Sequence, residues 1–155
     1  MGLDVYMRWG KYNDDEAPYW PDMPEDVYEA QHTGYVPAPE SGYLRLNWAG
    51  VSFCETFPTE VNAPKPLDLY PEWNGENGDS LPVTAETWPK IAAHRDALRK
   101  WLVSGRKTVR DEKKQRSENW WSDFRFFETV CREVIGFINF TELHKDEPDA
   151  VILFW

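Results

Sequence analysis

The sequence predicts an α+β fold: a mostly antiparallel sheet of four to five strands with two main helices packed on one face. Three patterns predict this fold. An alternation of apolar and polar residues opens the chain, an unbroken apolar run closes it, and two stretches between them carry apolar residues at spacings of three and four. We expect all 155 residues to form a single domain, because chains of this length usually bury one hydrophobic core.

The first strand is predicted at "LDVYMRW", where apolar residues alternate with Asp4, Tyr6 and Arg8. This two-residue period is typical of a strand that is buried on one face. The closing run "AVILFW" predicts a strand that is covered on both faces, because its residues are apolar on both sides. We therefore expect the N-terminal and C-terminal strands to pair in the centre of the sheet.

The stretch "GYLRLNWAGVSFCETF" predicts a β-hairpin that turns at Ala49-Gly50. On its returning strand, Glu55 falls in phase with Val51 and Phe53 and would point toward the apolar side. A carboxylate in that position either protects an edge strand against aggregation, which is the favoured interpretation, or serves as an acid with a shifted pKa.

Two long loops and two helices complete the predicted fold. Residues 11–41 and 58–82 are rich in proline and glycine, which interrupt regular structure. A first helix is predicted from Thr87, which can cap it, to Gly105, which ends it. Aromatic and aliphatic residues at spacings of three and four predict a second packed helix over residues 119–138.

The formal net charge of −10 is unevenly distributed. Residues 1–89 carry 4 basic and 16 acidic side chains, residues 90–116 carry 10 and 3, and residues 117–155 carry 3 and 8. An acidic chain with one basic segment repels phosphate at long range, so nucleic acid is a disfavoured partner and a basic protein is a favoured one. The sequence leaves open whether residues 106–118 form a helix or a mobile loop.

Several classes of protein and site have no support in the sequence. It contains neither an apolar run of the ~20 residues that a membrane span needs nor a secretion signal, so we expect a cytoplasmic protein. We expect Cys54 and Cys131 to be buried, reduced thiols. The three histidines lack metal-ligand spacing, and nucleotide-binding and nucleophile-elbow motifs are absent, so no cofactor and no metal are predicted.

One candidate site lies on the predicted sheet. If the sheet has one open polar face, Asp4, Tyr6 and Arg8 could meet Arg45 there and bind an anion or a small polar ligand. A face exposed only to water is the more common outcome in antiparallel sheets. His94, at the edge of the packed side of its helix, is either a half-buried structural residue or a general base. The candidate catalytic residues are therefore Asp4, Arg8, Glu55 and His94.

A second candidate surface combines basic residues with aromatic rings. Arg106 and Arg110 precede "NWWSDFRFF", in which Trp120 is out of phase with the apolar helix face and is expected to be exposed. Charge next to stacking rings can hold single-stranded nucleic acid. Pairing of the basic helix with acidic loops of the same chain or of a second subunit is the favoured alternative.

The opening residues "MGLDVYM", together with a tryptophan-bearing hairpin and a terminal strand that ends in tryptophan, resemble a group of bacterial and phage proteins that begin MGLDMYL. The specific match covers seven residues, in which Val5 and Met7 depart from the commonest form. The resemblance implies a bacterial or phage origin. It implies no activity and no catalytic residue, because the function of that group is unknown.

The leading prediction is a small, acidic, tryptophan-rich protein that binds or regulates another protein without catalysing a reaction, such as an inhibitor or immunity protein of a basic partner. The acidic, proline-rich loops and exposed aromatic residues are predicted to form its binding surface. Association of the chain with itself is left open. Two alternatives remain. One is an enzyme or small-ligand-binding protein with a pocket between the sheet and the loops, and the other is a protein that binds single-stranded nucleic acid through residues 90–116.

Overall fold

Four strands form one antiparallel sheet in the order β2-β1-β4-β3. The structure is a computed structural model that describes residues 2–10, 42–70, 78–111 and 116–154. Its strands are β1 (Gly2–Arg8), β2 (Tyr43–Asn47), β3 (Ser80–Pro82) and β4 (Val151–Phe154). The predicted α+β class and the central pairing of the first and last strands are confirmed. The predicted loop over residues 11–41 lies outside the described residues.

The sheet packs one apolar face against the helices. In the register of β1 with its two neighbours, Val5 lies opposite Leu44 on one side and Phe154 on the other. Met7 lies opposite Ile152 in the same way, and these side chains are buried in the core. Burial of this kind contributes about 25 cal/mol for each Å² of apolar surface removed from water, so the register is fixed by its apolar face.

The predicted hairpin is wrong, because the chain enters helix α1 (Trp48–Glu60) directly after β2. The Oδ1 atom of Asn47 accepts a hydrogen bond of 2.7 Å from the backbone N–H of Gly50, which caps the helix. Gly50, Cys54 and Phe57 are buried at helical spacings of four and three. Consequently Glu55 does not point toward the apolar side but is exposed on the surface of α1.

A continuous helical stretch replaces the predicted helix end at Gly105. Helix α2 (Trp88–Lys100) passes through a π-helical turn (Trp101–Gly105) into helix α3 (Arg106–Asp111). A Cβ atom on Gly105 would lie 2.3 Å from Cδ1 of the buried Trp101 side chain. Glycine is therefore needed here for close packing rather than for ending the helix. Residues 106–111 are helical, and residues 112–115 lie outside the described part of the chain.

Helix α4 (Glu118–His144) starts where predicted and runs six residues beyond the predicted end at residue 138. The Ser117 hydroxyl accepts a hydrogen bond of 3.2 Å from the backbone N–H of Trp120 at its start. The ring of the fully buried Phe127 lies 5.4 Å from that of Phe57 and 5.1 Å from that of Trp101. Phe127 thus joins α1, α4 and the π-helical turn.

Strand β3 replaces the end of the predicted loop over residues 58–82, and the predicted capping of α2 by the Thr87 side chain is wrong. Strand β3 pairs with β4, with Leu81 opposite Ile152. The Thr87 hydroxyl donates a hydrogen bond of 2.6 Å to the carbonyl oxygen of Pro82. Thr87 therefore connects the end of β3 to the start of α2 and makes no side-chain hydrogen bond to the first turn of the helix. In the described part of the chain, no helix has the length and apolar character to cross a membrane.

Candidate functional site

The second face of the sheet brings together the residues that the sequence placed there. Asp4 lies opposite Arg45 in the register of β1 and β2, and the Arg45 Nε atom is 3.7 Å from Asp4 Oδ1. Tyr43 joins the cluster: its hydroxyl donates a hydrogen bond of 2.6 Å to Asp4 Oδ1, and its ring stacks on Tyr6 at 4.8 Å. The Arg8 guanidinium lies 5.9 Å from the centre of the Tyr6 ring.

Antiparallel sheets commonly expose a polar face to water. This face is instead largely buried. Tyr43, Tyr6 and Arg8 are 2%, 4% and 7% exposed. Burial, and secondly the hydrogen bond to Asp4, raise the pKa of Tyr43 far above its usual value, so the phenol remains a proton donor. The Asp4 carboxylate is thereby held by groups of the sheet itself. These contacts explain the cluster as part of the fold.

Glu55 and His94 both contact the segment of residues 61–70 and not the polar cluster of the sheet. Glu55 Oε2 forms an ion pair of 2.8 Å with Lys65 Nζ. The Nε2–H group of His94 donates a hydrogen bond of 2.9 Å to the carbonyl oxygen of Pro66, because a carbonyl oxygen can only accept. Burial lowers the pKa of His94, which keeps the ring neutral at pH 7. The two residues therefore attach this segment to α1 and α2.

Basic residues of α2 and α3 pair with acidic residues of α4. Arg106 Nη1 lies 3.2 Å from Oε2 of Glu128, whose side chain is 8% exposed. Glu128 also forms an ion pair with Arg132. Arg95 Nη1 lies 2.5 Å from Glu142 Oε2. The favoured alternative, pairing within the chain, agrees with these contacts, although the acids belong to a helix and not to the loops. The Arg110 side chain lies outside the described part of the structure.

Trp120 was expected to be exposed, but it is half-buried. Its ring stacks on Phe124 at 5.5 Å, and its Nε1–H donates a hydrogen bond of 3.2 Å to Glu60 Oε2. The exposed ring of this region is Phe126, at 43%, which packs edge-on against Phe53 of α1 at 5.3 Å. Aromatic contacts thus continue from the surface of α4 through α1 into the core.

Three carboxylates belong to the same surface as these rings. Asp123, Phe126 and Glu133 fall at spacings of three and seven, which places them on one face of α4. Glu60 of α1 lies at the N-terminal end of that face, next to Trp120. We name this surface the acidic–aromatic strip, and it consists of Phe53, Glu60, Trp120, Asp123, Phe126 and Glu133. Among the described residues, none of its three carboxylates has an ion-pair partner.

Glu133 lies where α1 and α4 meet. Burial raises the pKa of its carboxyl to about 7, and its charge helps to raise the pKa of the Cys54 thiol on α1, for which burial is the main cause. Cys54 and Cys131 are both buried free thiols, as expected. The spacing of Asp123, Phe126 and Glu133 is visible in the sequence. Its meaning was missed because α1 was predicted as a strand, which left no helix for this face to meet.

Comparisons of the chain with protein-family models, with curated proteins and with solved structures found no match. The resemblance of the opening residues to the MGLDMYL group consequently stays a prediction.

Proposed function

We propose that this chain is a non-catalytic, cytoplasmic protein that binds a basic protein partner through the acidic–aromatic strip. The observation that carries the proposal is the contrast between the strip and the rest of the helical layer. Glu128 and Glu142 are paired with arginines of the chain. Asp123 and Glu133 share a face of α4 with the exposed Phe126, and Glu60 contacts Trp120; none of these three acids has an ion-pair partner among the described residues.

The chemistry of the strip suits an interface with a basic protein. Exposed aromatic side chains such as Phe126 supply large apolar contact area, and rings of this kind are enriched where binding energy is concentrated. Carboxylates around the ring attract a cationic partner during its approach and fix its orientation. An inhibitor or immunity protein that covers a basic site on its target is one concrete form of this function.

The contacts of the candidate catalytic residues also support a non-catalytic role. Asp4 is bound by Tyr43, Glu55 by Lys65, and His94 by a backbone carbonyl group. Each group is thus engaged in holding the fold. Arg106, the basic residue proposed for nucleic acid, is likewise paired with Glu128, which supports a protein partner over a nucleic acid.

Affinity capture from a lysate of the source cell, with matched variants, tests this proposal. We expect the wild-type chain to retain a basic protein at low salt and to release it at 0.5 M salt, because screening weakens charge attraction. Asp123→Lys and Phe126→Ala should each reduce the retained amount by roughly tenfold, in line with the loss of one central contact.

Two control variants remove equivalent groups elsewhere on the surface. Leu143→Ala deletes an apolar side chain that is 69% exposed at the end of α4, and Glu86→Lys reverses an exposed charge before α2. Both should retain the partner as the wild type does. Equal retention by all four variants, or no basic protein retained at low salt, would refute the proposal.

A further inference from the structure

Resting on the proposed function, we infer that the partner presents a basic amphipathic helix, which lies along the acidic–aromatic strip where α1 and α4 meet. An amphipathic helix that places an apolar stripe against a surface between helices is a recurring mode of peptide recognition. The strip offers both things that such a helix needs, a partly exposed ring and flanking carboxylates.

Helices α1 and α4 are antiparallel along the strip. Glu60, at the end of α1, contacts Trp120 at the start of α4, while Phe53, two turns earlier in α1, contacts Phe126 further along α4. From Trp120 to Glu133 the surface extends over 13 residues of α4, which corresponds to about 20 Å at 1.5 Å per residue. A partner helix of four turns has this length.

The positions of charge along α4 specify the pattern of the partner. Asp123 and Phe126 are separated by three residues, or about 4.5 Å along the helix axis, and Phe126 and Glu133 by seven, or about 10.5 Å. A matching helix carries a cation, an apolar residue three or four positions later, and a second cation seven positions after that. The cations therefore lie ten or eleven residues apart, on the same face as the apolar residue.

The chain already shows one contact of this chemistry. The Arg116 guanidinium lies 4.6 Å from the centre of the Trp120 ring, and the same indole donates a hydrogen bond to Glu60. A cation over an aromatic face is attracted by the ring, and more strongly when water is excluded. Because Arg116 occupies this end of the strip, the cations of the partner have the exposed Asp123 and the half-buried Glu133 as their acceptors. Burial raises the pKa of Glu133 to about 7, and a partner cation beside it would favour the ionised form.

Charge favours a different protein over other occupants. Residues 11–41 contain eight acidic side chains and one basic side chain, so they are no electrostatic complement to the strip. In a second copy of the chain, Arg95, Arg106 and Arg132 are engaged by acids of α4, and two copies that each carry a net charge of −10 repel each other at long range. Charge therefore favours a basic helix from a partner of different sequence.

Fluorescence anisotropy with synthetic helices of 18 residues tests this inference at pH 8, where the Glu133 carboxyl is mostly ionised. The probe is a leucine–lysine peptide with lysines ten residues apart and a leucine between them on one face. The first control peptide has the same composition with its lysines on the opposite face, and the second has glutamate in place of lysine. We expect the probe to bind roughly tenfold more tightly than the first control, and the glutamate peptide not to bind, because like charges repel.

Variants of the protein locate the contact. Glu133→Gln and Asp123→Asn should each weaken binding of the probe roughly fivefold to tenfold, while Glu86→Gln should leave it unchanged. Equal affinity for the two leucine–lysine peptides would overturn the inference, since general acidity would then explain binding. Unchanged affinity of Glu133→Gln for the probe would also overturn the inference. Self-association of the chain that the probe does not displace would overturn it as well.

The capture experiment separates the two proposals. Retention of a basic protein that depends on Phe126, combined with no discrimination between the peptides, would contradict the helical mode and leave the proposed function standing. Failure of both experiments would contradict the proposed function itself.

Discussion

Phe127→Ala is expected to lower the free energy of unfolding by about 3–5 kcal/mol, the typical loss when a large buried ring is truncated. Phe127 is fully buried and its ring lies between those of Phe57 and Trp101. Truncation leaves a cavity where α1, α4 and the π-helical turn meet, because the two flanking rings belong to α1 and to the π-helical turn. Urea denaturation followed by tryptophan fluorescence measures the loss.

The neighbouring ring provides a matched control. Phe126→Ala removes the same side chain one position earlier, where it is 43% exposed, and should lower the free energy of unfolding by only about 1 kcal/mol. Similar losses for the two variants would contradict an orientation of α4 in which Phe127 faces the core and Phe126 faces the surface. A small loss at Phe126 also keeps this variant folded for the binding experiments.

Glu133→Gln is expected to stabilise the protein above neutral pH, by an amount on the order of 1 kcal/mol after allowance for the accessible part of the carboxyl. Burial raises the pKa of Glu133 from 4.5 to about 7 in the folded chain. The folded state therefore holds the proton more tightly than the unfolded state does. Ionisation of the buried group thus destabilises the fold as the pH rises from about 4.5 to about 7, and the neutral glutamine avoids this loss.

The difference in stability between Glu133→Gln and the wild type should therefore be small near pH 4.5, grow up to pH 7, and be constant above it. Denaturation curves of both proteins at intervals of half a pH unit check this dependence. The Cys54 thiol of α1 interacts with Glu133, but burial holds its pKa at about 12, so it does not titrate in this range. A difference that does not vary between pH 4.5 and pH 8 would contradict the burial of Glu133.

The parts of the fold that the sequence predicts correctly are those with long, unambiguous patterns. The seven-residue alternation in β1 and the β-branched apolar run in β4 favour strands, and the spacing from Phe124 to Ile138 favours a helix. Strand β3 has three residues and owes its conformation to pairing with β4, so no local pattern could predict it.

Helix α1 was missed because its residues satisfy two periods at once. Val51 and Phe53 alternate as in a strand, while Gly50, Cys54 and Phe57 follow helical spacing. The capping side chain of Asn47 would have favoured the helix. The acidic–aromatic strip forms only if α1 is a helix beside α4. Its residues can therefore be read from the sequence, but their common surface cannot.

The polar cluster of the sheet, in contrast to the strip, was predicted from the sequence. Its members were predicted to share a face because strand periodicity places Asp4, Tyr6 and Arg8 together, and the register then adds Arg45. Burial of Tyr6 and Arg8 depends on contacts that are distant in the sequence, which alternation alone does not reveal.

Amide chemical-shift mapping is the most direct test that the acidic–aromatic strip is the binding surface for a basic partner. The labelled wild-type chain would be titrated with the leucine–lysine helix at low salt. We expect the largest shifts in the strip, at Phe53, Glu60, Trp120, Asp123, Phe126 and Glu133, and their loss in Asp123→Lys. Largest shifts around Asp4 and Arg45 on the sheet, or around the ion pairs of α2 and α3, would contradict it.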